Sequence, residues 1–244
     1  MSGHNKWSTI KHRKGAADAK RGKIFTKVIK EITVAARVGG GDPGANPRLR
    51  RALDEAKANN MPQDNVSRAI KKGTGELEGV AYEELTYEGV GPGGTLFVIE
   101  ALTDNRNRTT PELRKLFDKH NGQLGSEGTA LWAFDEKGMI TLPKDKATEE
   151  QLFELAVAAG AEDIQDNNEF WQIFTPRESL DKVREALVQA NMEPSTTSLE
   201  KVPKTPKIVP ETEAETLIAL LEALEDHDDV QKVSADFQIE DNAS

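Results

Sequence analysis

The hydrophobic period of this chain is purely helical up to about residue 80 and only then admits alternation, and that change constrains the fold more than any other feature. Before it, the period is helical. Between Lys23 and Val38 the apolar Ile24, Phe25, Val28, Ile29, Ile32, Ala35 and Ala36 recur every three or four positions. At about 100° per residue they share one face of a helix, and Lys20, Lys23, Lys27, Lys30 and Arg37 fall on the other. Gly39-Gly40-Gly41 stops this helix. Asn46-Pro47 starts a second, an N-cap followed by a first-turn proline, which turns Leu49, Ala52, Leu53 and Ala56 inward. Pro62 opens a third through Val66, Ala69 and Ile70, with Gly73 expected as its C-cap. These segments predict a small three-helix bundle.

From Tyr82 the apolar residues alternate. Two strands are expected over 82–88 and 95–102, then a helix over 111–120 and a short strand over 131–134. The next stretch parses completely. It has a strand at 139–142, a helix at 148–159 with a Thr148/Gln151 capping box, strands at 163–166 and 170–174, a helix at 177–190 and a strand at 197–202. That β-α-β-β-α-β order is ferredoxin-like. A proline-rich linker, 203–210, leads to a helix at 213–225 and a strand at 230–239, the two elements that the earlier β-β-α-β lacks. The expected fold class is therefore α+β and multidomain. Residues 1–78 form a basic helical domain, 79–136 and 205–244 a discontinuous α+β domain, and 137–204 a ferredoxin-like domain inserted into it.

Charge is distributed unevenly along these domains. Residues 1–72 hold 10 Lys and 7 Arg against 6 acids, a net +11 in a chain whose total is −10. A basic head on an acidic body fits polyanion binding. It fits equally a basic domain that docks on its own acidic partner. Trp7, among Lys6, Lys11, His12, Arg13 and Lys14, can stack on a base while the cations track phosphate, or can anchor the N-terminal arm on a core. With no cysteine and only His4, His12, His120 and His227, neither disulfides nor a metal site is expected. No apolar run approaches the length of a membrane helix, and the basic start lacks the apolar stretch of a signal peptide, so a cytoplasmic location is expected.

Motifs for catalysis are weak. Gly89-Val90-Gly91-Pro92-Gly93-Gly94 matches the dinucleotide fingerprint, but Thr95–Ile99 after it reads as a strand. The fingerprint needs a helix N-terminus there, so a hairpin loop is the better account. The loop Asp104–Arg108 reads as a turn or a ligand contact, and His227 among Asp226, Asp228 and Asp229 reads as a solvated helix end. No nucleophile–base or paired-carboxylate arrangement emerges, so neither an enzymatic activity nor a cofactor is expected.

Several long stretches resemble the YebC/PmpR family: Gly3–Trp7, Lys11–Lys14, Asp18–Lys27, Glu31–Arg37, Gly39–Pro43, Asn46–Arg50, Asn60–Pro62, Arg68–Gly73, Tyr87–Gly94 and Glu100–Thr109. The resemblance spans essentially the whole chain. It implies an N-terminal helical bundle and two α+β domains, one interrupting the other, without enzymatic activity. It also implies a DNA-binding transcriptional regulator or, as in relatives that resemble mitochondrial translational activators, a factor acting at ribosomal RNA on proline-rich nascent chains. A protein-only adaptor using the acidic domains is the third class. The expected nucleic-acid contacts are Lys6, Trp7, Lys11, His12, Arg13, Lys14, Lys20, Arg21, Lys23, Lys27, Lys30, Arg48, Arg50 and Arg51. Because Lys23, Lys27 and Lys30 lie opposite the apolar stripe, they are expected to be exposed and reversible in charge without loss of fold.

Overall fold

The computed structural model describes residues 18–167 and 169–239. The first three helices are α1 (Asp18–Gly39), α2 (Pro47–Ala58) and α3 (Gln63–Gly73). Their apolar stripes converge on a core of Val28, Ile32, Ala35, Leu49, Ala52, Ala56, Val66 and Ala69. Asn46 caps α2 by accepting from Leu49 N, and its amide also donates to Ala35 O and Gly40 O, tying the turn to α1. Gly73 is the last residue of α3 rather than its C-cap. A Cβ there would sit 2.4 Å from Thr33 O, so glycine is required for the close approach of α3 to α1.

The central sheet contains β1 (Glu83–Val90), β2 (Leu96–Thr103), β3 (Gln123–Leu124) and β9 (Val230–Ala235) in the order β3-β1-β2-β9. Helices α4 (Arg106–Lys119) and α7 (Glu211–Glu225) close its core, in which Phe97, Ile99, Leu113, Phe117, Leu217 and Leu221 are buried together. The glycine-rich 89–94 stretch joins β1 to β2 as a hairpin, as its sequence indicates. Helix α4 begins five residues before Pro111, because Asn105 caps it by accepting from Arg108 N. Residues 203–210 are not a plain linker, since β8 (Lys207–Val209) pairs in parallel with β10 (Phe237–Ile239). The last expected strand breaks at Asp236, whose carboxylate accepts from Leu96 N.

Of the described residues, 18–135 together with 203–239 form one compact unit that holds both the bundle and this sheet; Glu136–Val202 form the other. The second unit contains α5 (Glu149–Ala159), β5 (Asp163–Asn167), β6 (Phe170–Pro176) and α6 (Leu180–Gln189). The chain enters and leaves it through the central strand β4 (Phe134–Pro143) and the edge strand β7 (Thr196–Pro203). The order β5-β6-β4-β7 is that of the ferredoxin-like fold. The two strands expected at 131–134 and 139–142 are one continuous strand, β4, preceded by a helical turn at Leu131–Ala133. The capping box forms as expected, with Gln151 N donating to Thr148 Oγ1 and Thr148 N to Gln151 Oε1. Among the described residues no helix is long and apolar enough to cross a membrane.

Candidate nucleic-acid interface

The polar face of α1 does not meet solvent as its sequence pattern suggests. Lys23, Lys27 and Lys30 meet the C-terminal end of α7 and the turn into β9. A helix C-terminus leaves carbonyls without intrahelical donors and carries partial negative charge. The three lysines supply those donors. Lys23 Nζ donates to Asp226 O at 3.0 Å and to Asp226 Oδ2 at 2.6 Å, Lys27 Nζ to Glu225 O, and Lys30 Nζ to Asp228 O at 2.9 Å. Burial, only partly offset by Glu225, Asp226 and Asp228, lowers the pKa of the Lys27 amine.

Lys30 goes deepest. Its side chain is 9% exposed and sits 2.7 Å from Asp229 Oδ1, itself 3% exposed. Asp229 Oδ2 also accepts from Arg108 at 2.8 Å, and the hydroxyls of Thr109 and Thr103 reach it at 2.7 and 3.2 Å. Burial alone would raise the pKa of this carboxyl. The hydrogen bonds from Arg108, Lys30 and Thr109 outweigh burial and hold it well below the usual carboxylate range. The expected exposure of this lysine row is thus corrected: an amphipathic pattern marks a face as polar, and here the polar face is satisfied by a neighbouring acidic end.

The loop Asp104–Arg108 belongs to the same cluster, since Arg108 bridges Asp104 and Asp229. His227 is not a solvated helix end. Its ring accepts from Asp229 N at Nδ1 and faces Glu112 through Nε2 at 3.0 Å, so the imidazole is held between two elements.

The other expected contacts on the bundle are also engaged. Arg48 binds Glu31 through two nitrogens, at 2.6 and 3.0 Å, and reaches Glu84 with a third at 3.1 Å. Arg50 and Arg51 are half-buried on α2 and each has a partner within the protein. Lys6, Trp7, Lys11, His12, Arg13 and Lys14 lie outside the described residues, as do the side chains of Lys20 and Arg21.

Several cations of the bundle remain open to solvent, Lys57 on α2 and three on α3 among them. Arg68, Lys71 and Lys72 are exposed and have no ion pair among the described residues. At positions i, i+3 and i+4 they occupy one side of α3, away from the buried Val66 and Ala69. The signal was present, because Val66, Ala69 and Ile70 turned inward imply these three turned outward. Gly73, wedged against α1, fixes where they point.

A second exposed feature lies on the 125–133 loop. Trp132 is 66% exposed, yet its indole N–H donates to Thr129 O at 3.1 Å. The loop is held by Glu88, a buried carboxylate on β1 that accepts from the backbone N–H of Gly128, Ala130 and Leu131. Burial raises the pKa of that carboxyl, and the three donors more than reverse the effect, so it lies below its ordinary value.

With this geometry in view, comparison with known proteins gives a consistent answer. The family description "TACO1/YebC protein N-terminal domain" matches residues 5–76, and "TACO1/YebC second and third domain" matches residues 82–237. A protein of Geobacter sulfurreducens named probable transcriptional regulatory protein is 56% identical over 239 residues, covering 98% of this chain and 96% of its own. A protein of the same name from Desulfosudis oleivorans is 53% identical, covering 99% and 98%. The crystal structure of a conserved hypothetical protein from Aquifex aeolicus superposes with a TM-score of 0.87 at 46% identity, covering 96% of this chain and 97% of its own. The chain belongs to the TACO1/YebC family.

Proposed function

We propose that this protein is a non-enzymatic, nucleic-acid-binding regulator of gene expression, acting on DNA as a transcriptional regulator. The observation that carries the reading is the unpaired Arg68, Lys71 and Lys72 on α3, in the part of the chain with a net charge of +11. The names of the relatives support regulation as the role. Three cations within a turn and a half of helix match the spacing demands of a phosphate backbone, which supplies most sequence-independent affinity. If each neutralises one duplex phosphate, Arg68→Glu, Lys71→Glu and Lys72→Glu together should reduce the log–log salt slope of binding by about 2.7. The fold should be retained, because all three side chains are exposed. An unchanged slope would remove α3 from the interface.

Ribosomal RNA is a second reading, and the chemistry of the same residues favours it. Two of the three are lysines, point charges that track phosphate better than they read base edges. Sequence discrimination among DNA sites is therefore expected to be modest, below the ~10³-fold common for specific regulators. Competition between promoter DNA, scrambled DNA and purified ribosomal subunits at one physiological salt concentration separates the readings. Strong preference for promoter over scrambled DNA, without ribosome association, would leave the transcriptional reading alone.

A further inference from the structure

Helix α5 in the 136–202 unit has one face that its core uses and one that it does not. Leu152, Ala156 and Ala159 are buried in that core. Phe153 is 60% exposed and Val157 43%. Four residues apart, they are neighbours on the helix surface and make a short apolar stripe. Carboxylates surround it at helical spacing. Glu149 lies one turn before Phe153, while Glu150 and Glu154 stand three residues before Phe153 and Val157 respectively. All three are exposed, and none has an ion pair among the described residues. Glu149 and Glu150 suit the first turn of a helix on their own account; Glu154, a turn further on, does not. The capping box at Thr148 and Gln151 secures the start of the helix, so this face is preformed. The whole 136–202 segment holds 14 acids against 7 bases.

We propose that this face docks a cationic, amphipathic segment of another protein. The segment places an apolar side chain against Phe153 and Val157, and Lys or Arg against Glu149, Glu150 and Glu154. Charge selects this occupant. The unpaired carboxylates repel a nucleic-acid backbone, and a second copy of the same face would oppose acid to acid. A basic helix with apolar residues four apart is complementary in both respects. Such a contact takes its affinity from the central aromatic and its association rate from the charged rim.

The test uses the full chain and a fluorescein-labelled synthetic amphipathic peptide of leucine and lysine, read by anisotropy. Phe153→Ala with Val157→Ala should weaken binding at least tenfold. Glu150→Lys with Glu154→Lys should weaken it comparably and flatten its salt dependence. Both variants should keep the wild-type affinity for double-stranded DNA. Peptide affinity unchanged in the Phe153/Val157 variant would overturn the proposal, since the attraction would then be diffuse. A wild-type dimer in sedimentation that the same variant disperses would also overturn it, assigning the face to a second copy.

Discussion

Lys30→Ala is expected to lower the free energy of unfolding by about 3–5 kcal/mol, whereas Lys23→Ala, on the same face of the same helix, should change it by less than about 1 kcal/mol. The two lysines have similar partners but different surroundings. Lys23 and Asp226 are 41% and 61% exposed, so water and salt compensate for their separation. Lys30 and Asp229 are buried, and truncating Lys30 leaves the Asp229 carboxylate with Arg108 as its remaining cation. Urea denaturation of both variants at one salt concentration measures the difference. Equal losses would mean that the buried cluster contributes no more than the exposed pair. Reversing Lys23, Lys27 and Lys30 together is therefore no clean probe of phosphate contacts, because Lys30→Glu would set two carboxylates against each other in the interior.

Glu88→Ala should cost about 3 kcal/mol and release the 125–133 loop, because three backbone N–H groups lose a charged acceptor at once. Amide exchange at Gly128, Ala130 and Leu131 should accelerate together, while amides of the bundle keep their protection. Exchange that is unchanged at these three positions would show that the loop is held by other contacts. Acid has a related effect. Glu88 and Asp229 are both held below their ordinary values, near 4.3 and 3.9 in an unfolded chain. Their contribution is complete above those values and is lost as pH falls through the lower folded ones. Stability should decline below about pH 4, and Glu88→Gln should make that decline shallower.

Much of this fold is legible in the sequence wherever the determining contacts are local. Asn46-Pro47, the Thr148/Gln151 box and the apolar spacing of α1 to α3 each act within a turn or two of helix, and each element forms where its residues indicate. The ferredoxin-like order follows from complete local patterns. The misreadings arise where a partner is distant. Strand β8 is three residues between prolines and acquires its structure from β10, 30 positions away in register. The lysine row was hidden in the same way, because periodicity separates polar from apolar faces but does not say what the polar face meets. Helix α4 is the exception, a local competition in which the start signal of Pro111 yields to the Asn105 cap upstream.

The distance between the partners of the α1 lysines also sets an order of events during synthesis. Lys30 and Asp229 are 199 residues apart, and β2 waits for β9 over a shorter but still long span, Phe97 pairing with Ala235. While the chain is being made, the bundle emerges with Lys23, Lys27 and Lys30 still without α7, and β2 presents an unpaired edge. The 136–202 unit has all its strands and helices in one stretch and can complete itself during that wait. A growing chain is thus for a time more cationic on its leading helix, and more prone to edge-to-edge pairing, than the finished protein. A chain released before residue 225 would lack both the acids that meet the first helix and the strand that pairs with β2.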